Sequence, residues 1–471
     1  MHFGVTPTLD TRKISLWQWL ILCAAVLVLV LDGLDIQLLA FVTPVILREW
    51  QVDRVAFAPA LAAALIGMAI GSAGGGALGD RFGRRPVLIA STVLFGASTV
   101  FVGLTHDITT LTLLRLGGGL GFGAATPNAF AIATEWLPSR ARARAVGVVA
   151  VAAPLGGLLG ASLSMILLPA FGWRGCFIIC GSVTGLLALL MLFLLPESAS
   201  YLLAKGRHAE AGRLLRRVAG IEAAPTFMTQ AFPAPQPPVT RASIFTTDLL
   251  RLKIGAAMAF FSCVFATYAI LSWMPTILSG SGFAMPDAIR SALAFNLMAI
   301  TGTLVSSQVM VRFGSKQIMM VSCASTLIAA LSLIPILLGN YAQAGGLMWW
   351  ILFALIGLTG LGLGGGMTTA YAIVSSGYPV DRRATGIGFG VMVGRVGGIV
   401  TVFGSSLLLG AADGKPTLFL AVVAIMMVVA IVATFVINRH VPRLQNPLPS
   451  NQESIASPDN PGKIPRQAEG T

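Results

Sequence analysis

"TEWLPSRARARAVG" (134–147) returns in altered form as "SSGYPVDRRATGIG" (375–388), 241 residues further on. Pro138 meets Pro379, Arg142 meets Arg383, and Gly147 meets Gly388 at that one offset. The same offset carries Gly156–Gly157 onto Gly397–Gly398 and sets Arg395 where the first copy has Pro154. A second correspondence lays "DRFGRR" (80–85) against "VRFGSK" (311–316). A chain that repeats at half its length is built of two like halves.

What each half contains follows from composition. Of 471 residues, 56% are hydrophobic and only 10% charged, against about 25% charged in a soluble protein. Apolar runs of roughly 20 residues, enough to cross a bilayer, recur from end to end. They predict about twelve spans: 17–47, 55–79, 86–104, 109–134, 144–169, 174–195, 252–279, 289–311, 317–338, 347–374, 385–410 and 416–437. The first run is too long for a signal-peptide core and no small-residue cleavage site follows it. The expected division is a short segment 1–16, a six-helix half 17–195, a linker 196–251, a six-helix half 252–438 and a polar tail 439–471. The linker holds an amphipathic stretch, "AEAGRLLRRVAG", and then the Pro-rich "FPAPQPPV". The Pro-, Asn- and Ser-rich tail reads as disordered. Two parallel six-span halves are the build of a rocking transporter, with its substrate site between them near the midplane.

A net charge of +13 raises nucleic acid as a partner. Its distribution argues for a membrane instead. Of 31 Lys and Arg, Arg115 and Arg395 lie within spans, and only Arg48, Arg54, Arg174, Arg290 and Lys415 fall in the odd-numbered loops. The rest lie in the tails and even-numbered loops, which sets both termini in the cytoplasm of a multi-pass inner-membrane protein. Cysteines 23, 176, 180, 263 and 323 sit in apolar spans without metal-ligand spacing and read as core residues. There is no nucleotide-binding loop, metal cluster or nucleophile triad, so no cofactor is expected, and "GLGFG" (119–123) reads as helix packing.

The motifs then become specific. "GALGDRFGRRPVLI" (76–89) resembles the loop between the second and third spans of the major facilitator superfamily, and "LLRLGGGLGFGAATPN" (113–128) its arginine-bearing fourth span. "PESASYLLAKGR" (196–207) is similar to the end of the sixth span in the sugar and organic-acid branches. "LDGLDIQLLAF" (31–41) and "RATGIGFGVMVGRVGG" (383–398) resemble the first and eleventh spans of the aromatic acid:proton symporters. Val400–Thr401–Val402 departs from the Gly-Pro pair expected after the eleventh-span arginine. The resemblance implies an all-α fold of twelve transmembrane helices in two pseudo-symmetric halves. It implies a proton-coupled importer of a small aromatic carboxylate, working as a monomer, with no enzyme activity. Non-aromatic organic acids or sugars, or export, are the alternative within the same superfamily. The resemblance also makes the second-span loop a latch, with Gly79, Asp80, Arg81, Gly83, Arg84 and Arg85 gating. Glu135 is expected to pair with Arg142 and its neighbours at the same end. Val311 replaces Asp80 in the second copy, so the latch should be asymmetric.

The residues themselves support a transport site. Only Asp32 and Asp35 among 18 acids, and Arg115 and Arg395 among 31 bases, lie deep within spans, where ionisable groups face a cavity or a partner. Asp32 and Asp35, at i and i+3, share a helix face. Two carboxylates that close in low dielectric do not both stay ionised cheaply, so the pair is suited to hold and release a proton. Histidines 2, 106, 208 and 440 lie outside the span interiors and do not compete for that role. The competing reading is that one aspartate only pairs with Arg115 to join the first and fourth spans. A pair on one helix cannot face itself as an aspartyl protease requires. Arg395 has no deep acid in its own half. Its partner is then a substrate carboxylate gripped in a bidentate fork, a backbone carbonyl, or an aspartate across the halves. Arg115, Gln37, Asn128, Tyr268, Trp273, Asn296 and Tyr371 complete the candidate substrate site, as polar or aromatic groups at mid-span.

Overall fold

The computed structural model describes residues 14–220, 249–339, 347–378, 383–412 and 415–438. The segment 1–13, most of the expected linker and the tail 439–471 lie outside the described residues, as do the side chains of Arg142 and Val311. All the regular structure described is helical. Four helices open the first half: α1 (Leu16–Glu49), α2 (Arg54–Phe82), α3 (Arg84–Val102) and α4 (Ile108–Glu135). The 56-residue α5 (Ser139–Leu194) follows, then the short α6 (Ala199–Ala204) and α7 (His208–Ala219). The second half is α8 (Leu250–Gly280), α9 (Met285–Phe313), α10 (Ser315–Leu338), α11 (Leu347–Gly377), α12 (Arg383–Ala411) and α13 (Thr417–Val436).

Among the described residues, ten helices are long and apolar enough to cross a membrane. One of them, the apolar part of α5, is 44 residues long. At ~1.5 Å per residue it is about 66 Å, twice the thickness of a bilayer core. Gly172, at φ +63°, breaks it in the middle, so α5 supplies the fifth and sixth spans. α4, with its glycines, Arg115 and Asn128, is less apolar, yet its 28 residues are long enough to cross. The twelve spans read from the sequence are therefore present.

The helix starts follow local chemistry. Ser15 and Gln18 form a reciprocal capping box at α1, and the Asp53 and Asp107 side chains accept from Ala56 N and Thr110 N at the starts of α2 and α4. The amphipathic stretch of the linker becomes α7, which buries Ala211, Leu215 and Val218 against the first half. Ser15 donates to the Val218 carbonyl at 2.5 Å, and Arg217 lies over the Trp17 ring.

Between helices, small residues permit close backbone approach. A Cβ at Gly33 of α1 would run into the Ala153 backbone of α5, and one at Gly156 of α5 into the Val30 carbonyl of α1. The paired "RFG" segments have the same conformation in both halves. Gly83 (φ +106°) and Gly314 (φ +83°) each turn the chain between the second and third helices of a half, a backbone state glycine adopts readily. Arg81 lies over Phe82 and Arg312 over Phe313, at 5.1 and 5.6 Å from the ring centroids.

Candidate functional site

The deep charges gather at the level of mid-span. In α1, Asp32 and Asp35 are buried, at 6% and 4% exposure. Both line a pocket with α2, α3 and α4, next to Arg115, Thr99, Ser98 and Met68. Its free space fits about one water. The two carboxylates are treated differently. Asp35 forms a buried ion pair with Arg115 and accepts from the Thr99 hydroxyl at 3.4 Å. Asp32 has no ion pair among the described residues. The charges that act on it are Asp35, Arg115 and Arg395.

Arg395 comes from the other half. From α12 it reaches α2, where its Nη1 donates to the Met68 carbonyl at 2.8 Å and to the Ser72 hydroxyl. Of the three partners open to it in the sequence, it holds the backbone carbonyl. Gly394, Gly397 and Gly398 let α12 pack closely on α8: Gly397 abuts the Phe261 backbone, and a Cβ at Gly398 would lie 3.1 Å from the Tyr268 ring. Tyr268 stands within electrostatic reach of Asp32 and Arg395, and Tyr371 within reach of Arg395. Tyr371 is 40% exposed and meets Phe260 edge-on, with ring centroids 4.9 Å apart. Asp32, Arg395, Tyr268 and Tyr371 thus form one cluster between the halves.

The other candidates divide. Gln37 and Asn296 meet across the halves, Asn296 Nδ2 donating to Gln37 Oε1 at 3.2 Å. Trp273 is fully buried, with its indole N–H unpartnered. Asn128 is engaged in packing: its amide donates to the carbonyls of Gly75 and Ala124, both at 2.9 Å. Its Oδ1 fills the space that a Cβ at Gly79 would need. That is the α2–α4 seam, not the cluster around Arg395.

A polar network joins the α2–α3 turn and the end of α4 to the residues that follow α5. Arg84 donates to Glu135 at 3.1 Å, and lies 3.7 Å from Asp80, whose side chain is 75% exposed. Glu197 Oε1 accepts from the backbone N–H groups of Arg84 and Arg85, at 3.0 and 3.1 Å, where α3 begins. Ser198 donates to Glu135 at 2.6 Å, and Arg85 to the Leu192 carbonyl at 2.5 Å. Arg81 accepts from the Tyr201 hydroxyl through its carbonyl at 3.4 Å.

Glu197, Thr99 and Ser72 join the site without having been singled out in the sequence. Glu197 had a signal in "PESASYLLAKGR", where an acid directly follows the proline that ends the sixth span. Thr99 and Ser72 had none, being small hydroxyls in apolar runs. At the opposite end of the bundle, Glu49 ties α1 to the second part of α5, accepting from Trp173 Nε1 at 2.7 Å and Arg174 Nη1 at 2.6 Å.

Solved structures share this fold. The inward-open xylose transporter XylE of Escherichia coli matches with a TM-score of 0.71 at 20% identity, over 90% of this chain and 97% of that one. A bacterial homologue of the human lysosomal transporter Spinster, inward-facing and unoccupied, matches with a TM-score of 0.67 at 16% identity, over 90% and 98%. Such identities speak for the fold alone. Sequence relatives are nearer. The 4-hydroxybenzoate transporter PcaK of Pseudomonas aeruginosa is 29% identical over 417 residues, 87% of this chain and 90% of that protein. The gallate transporter of Pseudomonas putida is 28% identical over 418 residues, 88% and 91%. The benzoate transport protein of Acinetobacter baylyi is 26% identical over 449 residues, 93% of each. The family model of the Major Facilitator Superfamily matches residues 25–348, and the chain, with its duplicated six-span halves, belongs to that superfamily.

Proposed function

We propose that the chain is a symporter that imports a small aromatic carboxylate with protons across a cytoplasmic membrane by alternating access. It moves its substrate and does not transform it. It works as a monomer in the bilayer with both termini in the cytoplasm, the halves 17–195 and 252–438 rocking about their interface and 196–251 tethering them. The relatives that transport 4-hydroxybenzoate, gallate and benzoate support the substrate class.

One observation carries the reading: the guanidinium of Arg395, half-buried between the halves, is bound to two neutral oxygens and to no acid among the described residues. Neutral acceptors leave it without a contacting counter-charge. A carboxylate compensates it and offers the fork geometry that guanidinium prefers. Binding there draws Arg395 away from Met68 and Ser72 and loosens α12 from α2. Substrate thereby gains a differential interaction with the two states of the carrier, which moves the equilibrium between them. The proton is assigned to the aspartate pair. Asp35 is compensated by Arg115, and Asp32, without an ion partner of its own, is the carboxyl that takes the proton. Asp80, Arg84, Glu135 and Glu197 act on the cytoplasmic end of the first half and bias which state is held.

The test is uptake into vesicles. One proton with one monoanion moves no net charge. A pH gradient, acid outside, supplies about 1.4 kcal/mol per unit and suffices for accumulation of labelled 4-hydroxybenzoate. An inside-negative potential, about 2.3 kcal/mol per charge per 100 mV, does not drive it alone. Accumulation driven by an alkaline exterior would replace symport with antiport. Counterflow with a sugar or an aliphatic acid but no aromatic acid would replace the substrate class.

A further inference from the structure

One face of α2 runs along the second half. Arg54, Ala58, Leu61, Leu65, Met68 and Ser72 recur at alternating intervals of four and three residues, which puts them in one stripe. At mid-span, Met68 and Ser72 receive Arg395 of α12. Next to them, a Cβ at Gly398 of α12 would lie 3.6 Å from Leu65 Cδ1. Ala58, Leu61 and Leu65 are 1%, 7% and 6% exposed. At the start of α2, a Cβ at Gly280, the last residue of α8, would lie 3.0 Å from Arg54 Nη2. Beside it, a Cβ at Gly410 of α12 would lie 3.6 Å from Val55. From Arg54 to Met68 the seam is therefore shut over about 21 Å, with an arginine at each end.

Arg54 is partly buried, and its guanidinium has no ion pair or hydrogen bond among the described residues. The neighbouring acid, Asp53, is engaged as the cap of α2, accepting from Ala56 N at 2.6 Å. What the guanidinium meets is the C-terminal end of α8, where the helix dipole places roughly half a negative charge. Glycine at position 280 leaves room for that approach.

The repeat offers a comparison within the molecule. α9 corresponds to α2 at an offset of 231 residues: the residues before the two helices are Asp53 and Ala284, and those after them Gly83 and Gly314. At that offset Met285 stands for Arg54, and Glu49 of α1 for Gly280 of α8. Met285 lines a cavity of about 610 Å³ with Pro44, Val45 and Arg48 of α1 and Leu168 of α5. At this end of the bundle one seam is held by a charge, and its counterpart encloses a cavity.

We propose that Arg54 is a clasp between the halves. Its charge on the C-terminus of α8 holds the end of the α2 seam shut, and the carrier opens at that end only when Arg54 leaves α8. This rests on the alternating-access reading and adds a second lock to it. Arg395 answers to a carboxylate, whereas Arg54 sets the resting ratio of the two states.

The test is the reactivity of Leu61→Cys, two turns inside the clasp, toward a bulky polar maleimide, with the full chain in nanodiscs and Cys23→Ser as background. The thiol is reached when the seam opens. Arg54→Gln should speed labelling about fivefold, the worth of a cation at a partly buried helix C-terminus. Arg54→Lys keeps the charge and should stay within about twofold of the parent. Gly280→Glu and Gly280→Lys leave Arg54 in place, a flexible side chain that can give way to them. They should move labelling in opposite directions, slower with the carboxylate and faster with the like charge. Labelling at the parent rate in folded Arg54→Gln would overturn the clasp. So would Arg54→Lys labelling as fast as Arg54→Gln, which would make the contact one of shape. If Arg54→Gln does not fold, the Gly280 variants decide, and equal rates in the two would overturn the clasp. In each of these cases the alternating-access reading stands. A Leu61→Cys thiol that never reacts in a chain that still transports would overturn that reading instead, since the seam would not open during turnover.

Discussion

Asp35→Asn and Asp32→Asn, three residues apart on one helix, should have opposite kinds of effect. Asp35 is the partner of Arg115, and the two side chains are 6% and 5% exposed. Replacing Asp35 by Asn leaves a guanidinium in a buried site with a dipole for a partner in place of a charge. Removing one member of a buried pair costs about 3–5 kcal/mol. Asp32 has no ion pair among the described residues, so Asn there breaks none and removes only the carboxyl proposed to take the proton. In purified protein, Asp35→Asn should lower the thermal midpoint by about 5 °C or more, and Asp32→Asn by no more than about 2 °C. The transport phenotypes should run the other way in kind. Asp32→Asn should keep substrate exchange and lose accumulation driven by a pH gradient. Asp35→Asn with Arg115→Gln, which removes both charges, should recover stability relative to Asp35→Asn alone. Equal midpoints for the two single variants, or a double variant no more stable than Asp35→Asn, would refute the division of labour between the aspartates.

Arg395→Lys should weaken 4-hydroxybenzoate binding by about tenfold, since an ammonium point charge lacks the fork, and unchanged affinity in Arg395→Ala by equilibrium binding would remove Arg395 from the site. At the α2–α3 turn, Glu197→Gln should reduce the transport rate more than Asp80→Asn, because Glu197 accepts two backbone N–H groups and Asp80 is mostly exposed; Val311→Asn should change the rate little, and rates from initial uptake at matched expression decide the order. Gly33→Ala should cost about 1–3 kcal/mol through overpacking against the Ala153 backbone, seen as a lower thermal midpoint or lower yield of folded protein, and a stable, fully active variant would show that α1 and α5 can separate without loss.

The spans were legible because bilayer thickness sets a run length that apolar composition reveals, and the two halves because the 134–147 segment recurs at 375–388 with its Pro and Gly positions kept. The deep acids and bases were legible because a charge is rare in such runs. Which of them pair was not. Asp32 and Asp35 differ by less than one helical turn, and only the packing of α1 against α4 turns Asp35 toward Arg115. The acceptor of Arg395 was offered only as one of three possibilities, because a backbone carbonyl carries no side-chain signature. Asn128 looked like a pocket residue because a mid-span amide needs a partner; it found two carbonyls on the adjoining seam. The break at Gly172 falls in the gap that the span lengths leave between 169 and 174; that the two spans join there without a separate loop was not legible, since Gly172 is one glycine among 53.

The four deep charges have a consequence for leakage. When Asp32 and Asp35 are both ionised, the four groups sum to zero net charge, although Arg395 touches neither carboxylate. Add a proton alone, and one positive charge is left over; add a carboxylate alone, and one negative charge is left over. Either imbalance costs several kcal/mol to carry through a region from which water is excluded. Under the proposed symport mechanism, the two forms that cross freely are the empty one and the one loaded with both. In that mechanism, electroneutrality at the centre would act as an interlock. It needs no contact between proton and substrate, and it suppresses both proton slip and unproductive efflux of the anion. Deleting one charge should turn that interlock into a uniport or a proton leak, according to the sign of the charge removed.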